Sequence, residues 1–106
     1  MATFDERDKA FEDKYKYDQE LQFRVEVRRN KLLGLWVAEL LGLEGVDAEA
    51  YAKEVVRADF EEPGDADLIR KIQGDAAPKN LDLSEHRIRK KMDELTVIAK
   101  EQIMTD

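Results

Sequence analysis

Few residues in this chain have the types and spacing that chemistry requires. His86 is the only histidine, and there is no cysteine. Ser84 lies two residues before His86, a separation that sends the two side chains in different directions on a helix. No second His or Cys completes a nucleophile–base pair, so acyl transfer and thiol chemistry have no machinery here. His86 reads as an exposed residue in the first turn of a helix. The acid-rich run Asp59-Phe60-Glu61-Glu62-Pro63-Gly64-Asp65-Ala66-Asp67 invites a calcium reading. An EF-hand loop opening at Asp59 needs Glu at its twelfth position, which is Arg70, and Pro63 would occupy a ligand position. These acids are expected to cap and end helices, with no metal bound. Neither G-x-x-x-x-G-K-[ST] nor G-x-G-x-x-G occurs, so a nucleotide would rely on basic side chains such as Arg70, Lys71, Arg87 or Arg89. The remaining candidates are aromatic. Phe4, Phe11 and Tyr15 fall at i, i+7 and i+11, one narrow stripe of a helix, with Arg7 beside them. Aromatic anchors flanked by arginine have the makings of a helix that docks in a partner's groove.

The elements that must position these residues are all helical. No segment alternates apolar and polar residues for long enough to form a strand. The expected fold is all-α: a small four-helix bundle over residues 20–106 carrying a conditionally helical N-terminal arm, residues 1–19. The first helix runs from Thr3 to Leu41, opened by the capping-box spacing of Thr3 and Glu6. Its first twenty residues are mostly charge. Asp5–Lys9 and Glu12–Lys16 are favourable i,i+4 pairs, opposed by Asp8–Glu12. A helix with so little apolar surface is marginal alone in water, so the arm is expected to order only against a partner. From Leu21 the pattern changes: Leu21, Val25, Leu32, Leu35, Trp36, Leu40 and Leu41 make a broad apolar face. Trp36 there reads as core. Gly34 costs ~1 kcal/mol in a helix, compensated by close approach of another helix, and Gly42 supplies the stop.

Asp47 is the expected N-cap of a second helix, residues 48–60, burying Ala48, Tyr51, Ala52, Val55 and Phe60. Pro63-Gly64 forms a turn. A short third helix, capped by Gly64 or Asp65, carries Leu68, Ile69 and Ile72 and closes at Gly74. Residues 75–82 read as a loop. The last helix starts either at Asp82, in a capping box with Glu85, or at Ser84, with a Leu83–Ile88 staple. Its core face is Ile88, Met92, Leu95, Ala99 and Ile103, and its Arg87–Lys91 cluster is the solvated side.

Composition narrows the partners. Charged residues are 41% of the chain and the net charge is −7. That balance opposes nucleic-acid binding, which needs surplus Lys and Arg. The charge is uneven: residues 44–67 hold nine acids and two bases, whereas residues 21–31 hold Arg24, Arg28, Arg29 and Lys31 against Glu26 alone. Arg24 and Arg28 are therefore candidates for a partner-facing basic patch, although a solvated helix face is the simpler account of them. No stretch approaches the ~20 apolar residues of a membrane span. The opening Met1-Ala2-Thr3-Phe4-Asp5-Glu6 has no basic and apolar regions of a signal peptide. Direct membrane insertion is not expected, and the absence of cysteine fits a reducing compartment.

The run Arg28-Arg29-Asn30-Lys31-Leu32-Leu33-Gly34-Leu35-Trp36, continuing to Gly42, is long and unusual. With Thr3-Phe4-Asp5, Glu54-Val55-Val56, Asp59-Phe60-Glu61 and Gln102-Ile103-Met104, it resembles the zeta subunit of alpha-proteobacterial F-type ATP synthases over nearly the whole chain. The resemblance implies a bacterial, non-enzymatic inhibitor of ATP hydrolysis. It implies a four-helix fold whose N-terminal segment enters a catalytic alpha/beta interface of the synthase head, next to the gamma subunit of the rotor stalk. There the segment becomes helical and blocks rotation in the hydrolysis direction. Carried onto this sequence, the inhibitory segment is Met1–Gln19, with Thr3, Phe4, Asp5, Arg7, Phe11 and Tyr15 as partner-binding residues. The partners would be the alpha, beta and gamma subunits, and the location cytoplasmic, peripheral to the membrane through the synthase. No cofactor is implied, weak nucleotide binding being within the family's compass with no residue assigned to it. The readings that compete are a nucleotide-sensing helical regulator and a generic helical adaptor.

Overall fold

The computed structural model describes residues 2–60 and 64–105, with side chains from residue 18 onward. The aromatic and polar side chains of the arm (Thr3, Phe4, Asp5, Arg7, Phe11 and Tyr15), and Glu61, Glu62 and Pro63, lie outside the described set. The described chain is helical and contains no strand: α1 is Ala2–Leu40, α2 Gly45–Ala58, α3 Ala66–Ala76 and α4 Glu85–Thr105, with a 3₁₀ turn at Ala77–Lys79. At 1.5 Å per residue α1 is about 58 Å long, most of the 66 Å principal extent.

The second half of α1 is the post of the bundle. Both α2 and α4 pack along it, and α3 bridges α2 to α4. Among the α1 side chains described, Asp18, Gln19 and Glu20 are exposed, Leu21 is half-buried, and Val25 is the first buried residue. Further along, Leu33, Val37 and Ala38 have no exposed surface. The centre of the core thus falls on residues the sequence reading did not single out. Leu32, Leu35, Trp36, Leu40 and Leu41, which it did, are half-buried flanks. The physical reason is that α1 is covered from two sides, so its buried band is wide and centred between the two contacts. Leu33 and Val37 join Tyr51 and Val55 of α2, Leu68, Ile69 and Ile72 of α3, and Ile88, Met92 and Leu95 of α4 in one cluster. A smaller cluster of Val25, Ala99 and Ile103 closes the end of the bundle nearest the arm.

Close approach explains Gly34. A Cβ built there would lie 2.6 Å from the Ala52 Cα and 3.2 Å from the Val55 Cβ. The helix then ends as expected. Gly42 has φ +81°, Leu43 N–H donates to Ala38 C=O at 2.9 Å, and Gly42 N–H donates to Glu39 C=O at 3.1 Å. These are the two bonds of a Schellman stop.

Three boundaries differ from expectation. Helix α2 starts at Gly45, with Glu44 in the cap position, so Asp47 sits in the first turn, where its charge faces the positive end of the helix dipole. Helix α3 passes through Gly74 to Ala76, because Ala76 is buried in the core and packing outweighs the propensity cost of glycine. Residues 75–82 are therefore helix and 3₁₀ turn before a short loop. Phe60, expected inside, is 54% exposed. The core-facing positions of α2 recur as Ala48, Ala52, Val55 and then residue 59, so Asp59 takes the inward register and Phe60 is rotated away.

For α4, Ser84 is the cap. Its Oγ accepts from Arg87 N–H at 3.1 Å, and Leu83 and Ile88 share the core, which is the staple of the second alternative. All five residues of the expected face are buried. His86 is exposed. At the α2–α3 contact, the Tyr51 hydroxyl donates to Asp75 Oδ2 at 2.8 Å. Burial and that carboxylate hold the phenol well above its usual pKa.

Candidate functional site: the end of the bundle that carries the arm

Leu21 is the first described residue of α1 with buried surface, and the surface around it gathers the unusual features of the described molecule. A groove of about 420 Å³ runs between α1 and the C-terminal part of α4. Leu21, Val25 and Met104 make it apolar, while Glu26, Arg29 and Lys100 put charge along it. On another side, Phe23 and Phe60 are 53% and 54% exposed and meet ring to ring at 5.6 Å. Exposed aromatics of this size, placed together, are a common feature of protein-docking surfaces.

The basic residues flanking them behave differently from one another. Arg24 is exposed, and Arg28 is half-buried. Arg28 Nη1 donates to Gln102 Oε1 at 2.9 Å, tying α1 to α4. Both line a hollow with Phe23, Val27 and Ile103.

Beneath this surface lies a polar network that the sequence reading missed. Asn30, which lies between the basic residues Arg29 and Lys31, is completely buried. Its Nδ2 donates to Asp59 Oδ2 at 2.8 Å. Its Oδ1 accepts from Arg29 Nε at 3.1 Å and Nη2 at 3.0 Å. Arg29 Nη2 also reaches Asp65 Oδ1 at 3.3 Å and lies 4.0 Å from both Glu26 Oε1 and Asp59 Oδ2. The side chain of Asp59 is 3% exposed, and its Oδ1 has no hydrogen-bond partner among the described residues. Glu26 responds to this crowding. Its hydrogen-bonding contact with Asp59, its partial burial and the negative charge of Asp59 raise its pKa above the usual glutamate value. Arg29 opposes that rise and Asp65 adds to it. The sequence signal that would have exposed the network is register: Asn30 lies four residues before Gly34 and three before Leu33 on the inward face, and Asp59 continues the Ala52–Val55 stripe.

The acid run therefore does end α2 at Asp59 and begin α3 at Asp65, as expected. Asp65 makes no side-chain cap bond, its carboxylate being turned to Arg29 instead.

The basic residues weighed for nucleotide binding do not converge. Arg70 pairs with Asp67 at 3.2 Å and Arg89 with Glu85 at 3.1 Å. Lys71 bridges Glu54 and Asp75 at 3.3 and 3.1 Å. Arg87 and Lys91 lie over the half-buried Trp36 ring at 6.0 and 5.4 Å, cation–π contacts that shield the edge of the core. No helix among the described residues is long and apolar enough to cross a membrane.

Comparison with known proteins supplies what geometry alone does not. No match was found among curated proteins. A solved structure, titled only as the solution NMR structure of a protein, is 52% identical, with a TM-score of 0.71 over 80% of this chain and 96% of that one. The family model described as ATPase inhibitor subunit zeta matches residues 1–102, the arm and the bundle together. The chain belongs to the ATPase inhibitor subunit zeta family.

Proposed function

We propose that this protein inhibits ATP hydrolysis by the F-type ATP synthase by inserting residues 1–19 into a catalytic alpha/beta interface beside the gamma subunit. Inhibitor-family membership supports a regulatory, ATPase-inhibiting role and binding to the synthase. The insertion mechanism is the finer reading. The observation that carries it is the extent of the family match, which includes the arm as well as the bundle. Two further features favour it. Helix α1 continues to Ala2 without an interruption by Gly or Pro before Gly34, so a docked arm is in rigid register with its head. Among the described side chains, Asp18, Gln19 and Glu20 are exposed, and burial on α1 begins at Leu21 and Val25.

In this reading residues 20–106 are the head and residues 1–19 the ligand. Ordering of the arm costs part of the contact energy, typically about 2–5 kcal/mol. Phe4, Phe11 and Tyr15 offset that by filling apolar pockets, with Thr3, Asp5 and Arg7 setting orientation. The exposed Arg24, and Arg28 beside it, extend the contact toward acidic groups on the synthase. The protein then sits on the cytoplasmic side, at the membrane only through its target.

Phe11→Ala is the test. Truncating an aromatic anchor costs about 2 kcal/mol or more, so half-inhibition of ATP hydrolysis by the synthase head should require roughly 30-fold more protein. The melting temperature should stay unchanged. A large drop in melting temperature instead would put Phe11 in the core of the bundle and remove it from the interface.

A further inference from the structure

Glu26, Asp59 and Asp65 come from three different elements: the middle of α1, the C-terminal cap of α2 and the N-terminal cap of α3. They nevertheless bring one carboxylate oxygen each to within 4.8 Å of one another. Two oxygens bound to one calcium ion stand at most about 5 Å apart, twice the ~2.3–2.6 Å bond. The trio is thus already spaced for that ion. Magnesium, bonded at ~2.0–2.1 Å in a rigid octahedron, needs a spread below roughly 4.2 Å.

Charge points the same way. Among the described residues, three carboxylates face the one guanidinium of Arg29, a surplus of two negative charges when all three are ionised. Arg29 hydrogen-bonds only Asp65 among the three and stands 4.0 Å from Glu26 and from Asp59. Lys100 lines the same groove but is exposed to water. The independent sign of a missing partner is Asp59 itself. One oxygen is engaged by Asn30, while Oδ1 is buried with no hydrogen-bond donor among the described residues, a costly state for a charged group. Glu26, half in solvent, offers an open approach beside it.

We propose that Glu26, Asp59 and Asp65 form a divalent-cation site that prefers calcium, with the buried Asp59 Oδ1 as its inner ligand. A divalent ion brings the cluster to neutrality, whereas a single proton removes only one of the two surplus charges. All-oxygen donors select hard cations. With three protein ligands and water completing the shell, the site belongs among weak ones, with Kd on the order of 10⁻⁴–10⁻³ M. The bound ion would pin α1 to the α2–α3 junction below the point where the arm leaves the bundle. This site does not depend on the insertion mechanism, and its test does not use the synthase.

The experiment follows backbone amide shifts of the isotope-labelled full chain, stripped of metal, during addition of calcium chloride at constant ionic strength and neutral pH. Saturable shifts are expected around residues 26, 59 and 65. Magnesium should be weaker. Glu26→Gln and Asp65→Asn, both at partly exposed positions, should keep the fold and weaken calcium binding about tenfold or more. Glu49→Gln, an exposed acid on α2, should leave it unchanged. Three results overturn the site. One is the absence of saturation up to about 10 mM calcium. Another is binding that survives Glu26→Gln and Asp65→Asn. The third is a calcium-insensitive cluster in which Glu26 alone takes up a proton, which would make a shared proton the resident of the cluster.

Discussion

Replacing Gly34 by alanine tests the packing of α1 on α2 with a sign as well as a size. On helix propensity alone the substitution should stabilise by ~1 kcal/mol. The structure opposes this: the new Cβ would fall 2.6 Å from the Ala52 Cα, a backbone atom, and 3.2 Å from the Ala52 and Val55 Cβ atoms. A backbone atom cannot rotate aside, so α2 must shift as a unit and loosen Tyr51 and Val55 in the core. Overpacking of this kind costs ~1–3 kcal/mol. Taking the upper end, because backbone is involved, and subtracting the propensity gain leaves a net loss of about 2 kcal/mol. For a chain of this size that lowers the melting temperature by roughly 8 °C. Gly74→Ala is the internal control. Gly74 is also inside a helix, but a Cβ there meets nothing within 4 Å, so the same chemical change should stabilise by up to ~1 kcal/mol. Thermal unfolding followed by circular dichroism reads both. If Gly34→Ala stabilises as Gly74→Ala does, α1 and α2 are not in contact at Ala52.

Asn30→Ala removes the hydrogen bond that Asn30 donates to the buried Asp59 carboxylate and should cost about 3 kcal/mol in urea denaturation; a loss below ~1 kcal/mol would mean that water reaches Asp59. The raised Glu26 pKa sets a pH dependence. Over the range from the usual glutamate value up to the raised one, the folded state holds the proton that the unfolded chain has released. Stability therefore falls as pH rises through that window and levels off above it. Melting temperatures against pH should show this decline in the natural chain and its loss in Glu26→Gln; an unchanged slope in the variant assigns the decline to another group.

How much of this was legible in the sequence varied with the number of neighbours each element has. Helix α4 faces the core along one stripe, and the i+4, i+3 spacing of Ile88, Met92, Leu95, Ala99 and Ile103 identified every buried residue. Helix α1 is covered from two sides, so periodicity found its flanks and passed over Leu33 and Val37. Local signals worked where the physics is local: Gly42 as a stop, Ser84 as one of two possible caps. They failed where packing overrode propensity, as at Gly74. The Asn30–Asp59 bond joins positions 29 apart in sequence, and nothing in composition announces such a pairing. Phe23 and Phe60 were not recognised as a surface because each sits in an otherwise apolar or acidic run, and only the fold brings the rings together. The aromatic stripe of the arm was found by spacing alone, and the side chains that form it lie outside the described residues.

The measurement that bears most directly on the central claim is ATP hydrolysis by the cognate synthase head, assayed with the full chain and with residues 20–106 alone. The account predicts inhibition by the full chain and none by the shortened one, with both unfolding at nearly the same temperature, since among the described side chains burial on α1 begins at Leu21 and Val25. Undiminished inhibition by residues 20–106 would contradict it, and would move the inhibitory surface from the arm to the bundle.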